Sequence, residues 1–255
     1  MRLRQIALAA TDLDATVACL TDVLGIEVSF KDPGVATFGL DNAVMPVGET
    51  FLEVVSPVRE DATARRWIEK RGGDAGYMVI VQCDDFADLE AEVARARGTG
   101  ARVVWQGESE EARTFHFHPR ELGAILSFDA MPTFEEWRWA GPGWESHVRR
   151  DRTTAIVGAE LASPRPDGLA ERWAAVLGTP ITRDTAGRPE IVLPRGGRLV
   201  FVASEDSGEG VVGVEVTVVD PGGFRTAAET HGVLGADGAA TIAGTRFVPQ
   251  APTGS

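Results

Sequence analysis

Leu3–Val28, LRQIALAATDLDATVACLTDVLGIEV, is the stretch that decides the fold of this 255-residue chain. Ile6, Leu8 and Ala10 alternate with Gln5, Ala7 and Ala9, the pattern of a strand whose second face carries small groups. Thr11 and Asp12 have side-chain oxygens suited to the free amides that open a helix. Leu13, Val17, Leu20 and Leu24 then recur at helical spacing, and Gly25 stops the helix. A second strand begins at Ile26.

The same unit returns at Ile156–Ile181, IVGAELASPRPDGLAERWAAVLGTPI, with Leu169, Trp173, Val176 and Leu177 on the helix and Gly178 at its end. Setting Gly25 against Gly178 places Gln5 against Gly158 without a gap. Looser copies start at Tyr77 (YMVIVQCDDFADLEAEVARARGTGARVV) and Val211 (VVGVEVTVVDPGGFRTAAETHGV), each with an Asp-bearing turn before the helix. A strand–helix unit repeated in this way predicts an array of similar modules.

Taken in order, ATFGL (36–40) and TFLEVVSP (50–57) read as strands, with turn signals at Asp32-Pro33-Gly34 and Val47-Gly48. ATARRWIEKRGG predicts a connecting helix with Trp67 and Ile68 on its apolar side. YMVIVQC, ARVVW, RTFHFHP and AILSFD supply the strands of the second module, the last two as a hairpin. Residues 3–57 and 77–129 therefore each read as βαβββ. Residues 131–153, with prolines, glycines and Trp137, Trp139 and Trp144, read as a linker whose aromatics either clamp the halves together or cover an apolar ligand. The second half repeats the theme with EIVLPRG, GRLVFVAS and TIAGTRFVPQ as strands. The expected class is α+β, with curved mixed sheets and outer helices. Its expected domains are 1–130, which carries the ligand cup, and 154–250, a degenerate copy.

Composition narrows the functions. A formal charge of −13 opposes nucleic-acid binding, which needs a basic field. The basic cluster His147, Arg149, Arg150 and Arg152 falls in the linker and reads as solvated. No apolar run approaches the roughly 18 residues that span a bilayer. MRLRQIALAA enters the first strand directly, which leaves no room for a signal peptide. Cys19 and Cys83 sit inside elements and read as reduced packing residues, so a cytoplasmic location is expected. The preference for arginine over lysine fits a GC-rich bacterial genome.

QIALAATDLDATVACLTDVLGIEV, FLEVVSP and FHFHPRELGAILSFD resemble the vicinal oxygen chelate superfamily of glyoxalases, bleomycin-resistance proteins, methylmalonyl-CoA epimerases and extradiol dioxygenases. The resemblance is good over about 1–130 and weaker over 154–250. It implies paired βαβββ units curling into a cup, with a metal and substrate on the concave face. It does not fix the reaction, because one fold hosts many chemistries.

In the epimerase-like pattern a histidine precedes the Ile-Ala of the first strand, where this chain has Gln5. A carboxylate or amide ends the first unit, and Glu53 fits. A second histidine opens the next unit, where Met78 stands beside Tyr77. A glutamate ends the last strand, where Ser127 or Phe128 stands. The inherited metal site is therefore expected to be lost, and no cofactor is expected. In the second half the corresponding positions are Gly158, Val200 or Phe201, and Gly213 or Val214.

His116 and His118 alternate on one strand and so would share a face. With Glu53 they would form a two-histidine, one-carboxylate set of the kind iron and zinc enzymes use. The alternative is that they face solvent or pair with Asp129 and Glu121 while Phe115 and Phe117 fill the core. His231 follows a helix and reads as a cap. Glu53 in an apolar strand is costly to bury as an unpaired ion, so a wet cleft is expected around it. Glu160 shares a strand face with Gly158 and reads as structural. The resulting expectation is a small-molecule isomerase or lyase with Glu53 as base and His116 as its acid partner. Gln5, Tyr77, Met78, His118 and Ser127 would bind substrate. The alternatives are a non-catalytic binder of bleomycin-resistance type and a metal-dependent dioxygenase. The expected partner is a small molecule, not nucleic acid or membrane, and a homodimer remains open.

Overall fold

The computed structural model describes residues 1–204 and 208–252. The first half runs β1 (Arg2–Ala9), α1 (Leu13–Leu24), a 3-10 turn (Pro33–Phe38), β2 (Leu40–Val47), β3 (Thr50–Pro57) and α2 (Thr63–Arg71). It continues with β4 (Ala75–Gln82), α3 (Phe86–Gly98), β5 (Val103–Glu108), β6 (Arg113–Phe117), α4 (Pro119–Leu122) and β7 (Ile125–Ala130). Short 3-10 turns at Arg138–Ala140 and Trp144–His147 lead to β8 (Thr153–Ser163), α5 (Pro166–Leu177), β9 (Thr182–Arg183), β10 (Pro189–Val192) and β11 (Arg198–Ala203). The chain closes with β12 (Gly210–Val218), α6 (Pro221–Thr230), β13 (Ala240–Ile242) and β14 (Thr245–Gln250).

The strands form two seven-stranded mixed sheets, ordered β2-β3-β1-β4-β7-β6-β5 and β13-β14-β12-β8-β11-β10-β9. This is the α+β class that the repeated strand–helix units predict. The helices start as their sequences require. Asp12, Asp85 and Asp220 each accept a backbone N–H from three residues on (Ala15, Asp88 and Gly223), capping α1, α3 and α6. Thr11 has a different task, giving both its amide and its hydroxyl proton to Asp74.

Two compact units are present. One comprises Met1–Gln5, Met78–Arg138 and Gly158–Val211. In it α3 packs on β7 and on α5, and α5 covers β10 and β11. Trp173 fills that core, with its ring edge-on to Phe201 and its Nε1 donating to the Leu122 carbonyl at 2.8 Å. The other unit comprises Ile6–Tyr77, Trp139–Val157 and the chain from Val212 onward. Here α1 lies on β2 and β3 and against α6, burying Leu20, Val23 and Leu24 completely. Each such aliphatic side chain contributes roughly 1.5–3 kcal/mol.

Two strand expectations are corrected. ATFGL lies mostly in the 3-10 turn, because Pro33 fixes the backbone at its start and Asp32 caps Gly34 N at 2.8 Å. The neighbouring strand is instead β2, whose run from Ala43 to Val47 is buried on both faces and so shows no alternation. TIAGTRFVPQ is a hairpin, β13 and β14, turning at Ala243 and Gly244, both at positive φ.

Segment 131–138 is tied down. Within the first unit Arg2 and Gln82 both donate to the Phe134 carbonyl, Arg4 donates to that of Glu135, and Trp137 is buried.

Candidate functional site

Glu53 lies in β3, which pairs antiparallel with β2 so that Val44 faces Glu53 and Asn42 faces Val55. Directly opposed residues share a sheet face, so Asn42, Val44, Phe51, Glu53 and Val55 lie together, while Leu52 and Val54 point to the α1 side. Glu53 is only 8% exposed. Burial of a carboxylate requires hydrogen bonds, and Asn42 Nδ2 donates one to Glu53 Oε1 at 2.6 Å. A cleft lined by Leu13, Lys31, Asp32, Pro33 and Asp41 backs onto Asn42. Trp144 covers the same strand pair, standing edge-on to Phe51 at 4.9 Å.

Tyr77 is near enough to feel the Glu53 charge. Burial first, and then that charge, push its phenol up to about 12, with Arg66 pulling the other way. Tyr77 therefore remains a neutral hydrogen-bond donor well into the alkaline range. Trp67 holds its ring from the side at 5.6 Å.

In the other unit, β4, β7, β6 and β5 place a second group of residues on one face. Register pairs Ile80 with Ser127, Ser127 with His116, and His116 with Trp105. Met78, Gln82, Thr114 and Asp129 share that face by strand alternation. Phe115, Phe117, Leu126 and Phe128 fill the opposite face, with Phe117 and Phe128 ring to ring at 5.1 Å. Thr114 and Ser127 both donate to Asp129 Oδ1, which commits the Ser127 hydroxyl proton. His116 is half-buried beneath Trp105, ring centroids 4.7 Å apart. Burial pushes its imidazole down to about 4, so it is neutral at physiological pH.

His118 separates from His116 in role. It stands at the N-cap of α4, where its Nδ1 accepts the Arg120 amide at 2.9 Å. Among the described residues no three His, Cys, Asp or Glu side chains gather to hold a metal, so the relocated histidine–carboxylate set does not form. His231 closes α6 as its C-cap and bonds Asp22.

The positions at which the family places its divalent ion do not fit one here, on the chemistry of their donors. Gln5 Oε1, its ligating atom, accepts the Trp137 indole N–H at 2.8 Å. Met78 offers a thioether, and the Ser127 proton belongs to Asp129. Hard divalent ions want carboxylate, imidazole or carbonyl donors; of these positions Glu53 supplies a carboxylate, and the Gln5 amide oxygen is already engaged by Trp137. In the second half Val200, Phe201 and Val214 are fully buried packing groups. Glu160 is held by Arg188 at 3.1 Å, a structural ion pair that Asp184 shares.

Sequence reasoning missed Asn42, Trp105 and Thr114, and named Asp129 only as a possible partner of the histidines, not of Thr114 and Ser127. Asn42 carried a usable signal, a polar residue in the otherwise apolar run LDNAVMPV. Trp105, Thr114 and the pairing of Asp129 were visible only through strand register.

A family profile described as "Glyoxalase-like domain" matches residues 6–177. Human mitochondrial methylmalonyl-CoA epimerase is 22% identical over 129 residues, covering 49% of this chain and 70% of that protein. The ethylmalonyl-CoA/methylmalonyl-CoA epimerase of Cereibacter sphaeroides is 25% identical over 129 residues, covering 49% of this chain and 93% of that protein. Among solved structures, the Mn(II)-bound glyoxalase from Novosphingobium aromaticivorans matches with a TM-score of 0.67 at 14% identity, over 98% of this chain and 81% of that one. At that identity the likeness is one of fold.

Proposed function

The chain belongs to the glyoxalase-like domain family, and on that premise we propose that it binds a small organic carbonyl compound and acts as an isomerase or lyase through proton abstraction next to the carbonyl. Glu53 is the base. The observation that carries this reading is a carboxylate left only 8% exposed in an apolar strand, hydrogen-bonded to Asn42 and with its charge reaching the Tyr77 phenol. A buried carboxylate held by one donor is oriented towards a single proton, and a nearby neutral donor suits the oxygen on which negative charge develops. Tyr77 is proposed for that donor. Return of the proton completes an isomerisation, and loss of a leaving group from the adjacent carbon completes a lyase reaction.

His116, expected from sequence as the acid partner of Glu53, lies in the other compact unit and is not given that role; a ligand-binding role within its own unit is proposed instead. An imidazole held near 4 has no proton to give at neutral pH, but its remaining N–H can donate a hydrogen bond. Gln5, Met78, Ser127 and His118, expected from sequence as ligand contacts, belong to the other compact unit and are given no part in the chemistry at Glu53. No step is assigned to a metal, given the donor set.

The test is proton-for-deuterium exchange in D2O over a panel of enolisable acids and acyl thioesters. Methylmalonyl-CoA goes first, after the relatives' names. Glu53→Gln is expected to abolish exchange while leaving affinity within about tenfold, roughly 1.4 kcal/mol. Loss of affinity with no exchange in the parent protein would instead identify a binder.

A further inference from the structure

Asn42 is 3% exposed, and both ends of its amide are engaged. Its Oδ1 accepts the Asp32 backbone N–H at 2.8 Å, and its Nδ2 donates to Glu53 Oε1 at 2.6 Å. These two bonds settle which way the amide points. A backbone N–H can only donate, so the oxygen must face Asp32 and the NH2 must face Glu53. Asp32 is itself fixed, because its carboxylate caps Gly34 N at the start of the Pro33–Phe38 turn. The chain Asp32–Asn42–Glu53 therefore presents a donor to the carboxylate and nothing that accepts a proton back. A proton on Oε1 would point at the hydrogens of the Asn42 amide. A donor placed there favours the anion, the form a base needs, and holds the carboxylate in one rotamer.

We propose that Asn42 is a positioning residue of the reaction, fixing the Glu53 carboxylate through Oε1 in its proton-accepting state. The proposal rests on the reading of Glu53 as base. A purely structural role, tying the Asp32 turn to β2, is the competing account. Asn42→Asp separates the two. It keeps an oxygen for the Asp32 N–H but puts a second carboxylate beside Glu53, so that the pair holds one proton between them and Glu53 no longer stands as the bare acceptor.

The experiment compares the full-length parent, N42D, N42S and E53Q. It records the Glu53 carboxylate stretch by infrared spectroscopy on ligand-free, 13C-glutamate-labelled protein, with E53Q as the subtraction, and follows methylmalonyl-CoA exchange in D2O. The infrared band requires no substrate. In N42D the band is expected to shift towards a protonated, proton-sharing carboxyl, and kcat to fall by at least about tenfold with KM within about threefold, while Asn42→Ser, which removes the amide donor without adding a charge, is expected to lower kcat by about tenfold. An unmoved band with parental kcat in N42D, while E53Q is inactive, overturns the Asn42 proposal alone. An E53Q protein exchanging at the parental rate overturns the base reading instead. Should N42D fail to fold, Asn42→Ser, which is smaller and uncharged, carries the same two readouts.

Discussion

His116 shows how much one half-buried side chain can record about its surroundings. Its imidazole is held at about 4 by desolvation, against about 6.5 in an unfolded chain. As pH falls from 6.5 towards 4, the unfolded chain takes up a proton at this position that the folded chain does not. Stability present above pH 6.5 is therefore lost on acidification, by up to about 3 kcal/mol from this group. His116→Asn is expected to flatten that loss, which urea melts of both proteins at pH 7 and pH 4.5 will measure. Equal losses in the two would mean that the imidazole is not desolvated. Glu53 and Asn42 belong to the same scale, with one hydrogen bond between them carrying both the proposed chemistry and its test.

The helices end in a shared device. Gly25 and Gly178 close α1 and α5 at φ 65° and 62°, the left-handed conformation that favours glycine. Both glycines also lie close against an arginine, at Gly25 against its stem and at Gly178 against its flexible end. A Cβ on Gly25 would lie 2.8 Å from Arg152 Cβ, and one on Gly178 would lie 2.7 Å from the Arg95 guanidinium carbon. In each case the arginine reaches the last carbonyls of the helix. Arg95 donates to Ala175 and Val176, and Arg152 to Asp22 and Val23. A cation at a helix C-terminus meets the negative end of its dipole while satisfying orphan carbonyls. Arg95→Ala is expected to cost about 1–2 kcal/mol in a denaturant melt, more than removal of an exposed surface arginine. A cost indistinguishable from that of Arg225→Ala, at an exposed residue on α6, would discount the cap.

At the scale of the molecule, each compact unit draws on both halves of the sequence. In one, α3 of the first half packs on α5 of the second, and in the other α1 packs on α6. We propose residues 1–130 and 154–250 as the units of duplication, joined by 131–153. Chains cut near residue 130 are then expected to expose the inner faces of α1 and α3. The isolated 1–130 fragment should lack a cooperative unfolding transition and bind hydrophobic dyes. A sharp two-state melt from that fragment would show instead that each half folds alone. Among the described residues no helix is long and apolar enough to cross a membrane.

The residues alone determined the modules. Alternation in Leu3–Ala10, the Asp12 cap, the 3.6-residue spacing of the α1 leucines and the Gly25 stop are local and periodic, and each appears where it was read. So does their recurrence around Gly178. Gln5, Met78 and Ser127 likewise declare their chemistry by identity, an amide, a thioether and a hydroxyl at the positions where the resemblance implies metal donors. What only the tertiary structure decided depends on register and on partners distant in sequence. The Ser127 hydroxyl donates to Asp129, and the Gln5 oxygen accepts from an indole 132 residues away. His116 is desolvated beneath Trp105 across a strand pair, while His118, two residues on, is spent on a cap. Asn42 meets Glu53 because β2 and β3 pair in one register, and a shift of a single residue would turn one of them to the helix side. Periodicity states which face a side chain takes, but only the fold states what waits there.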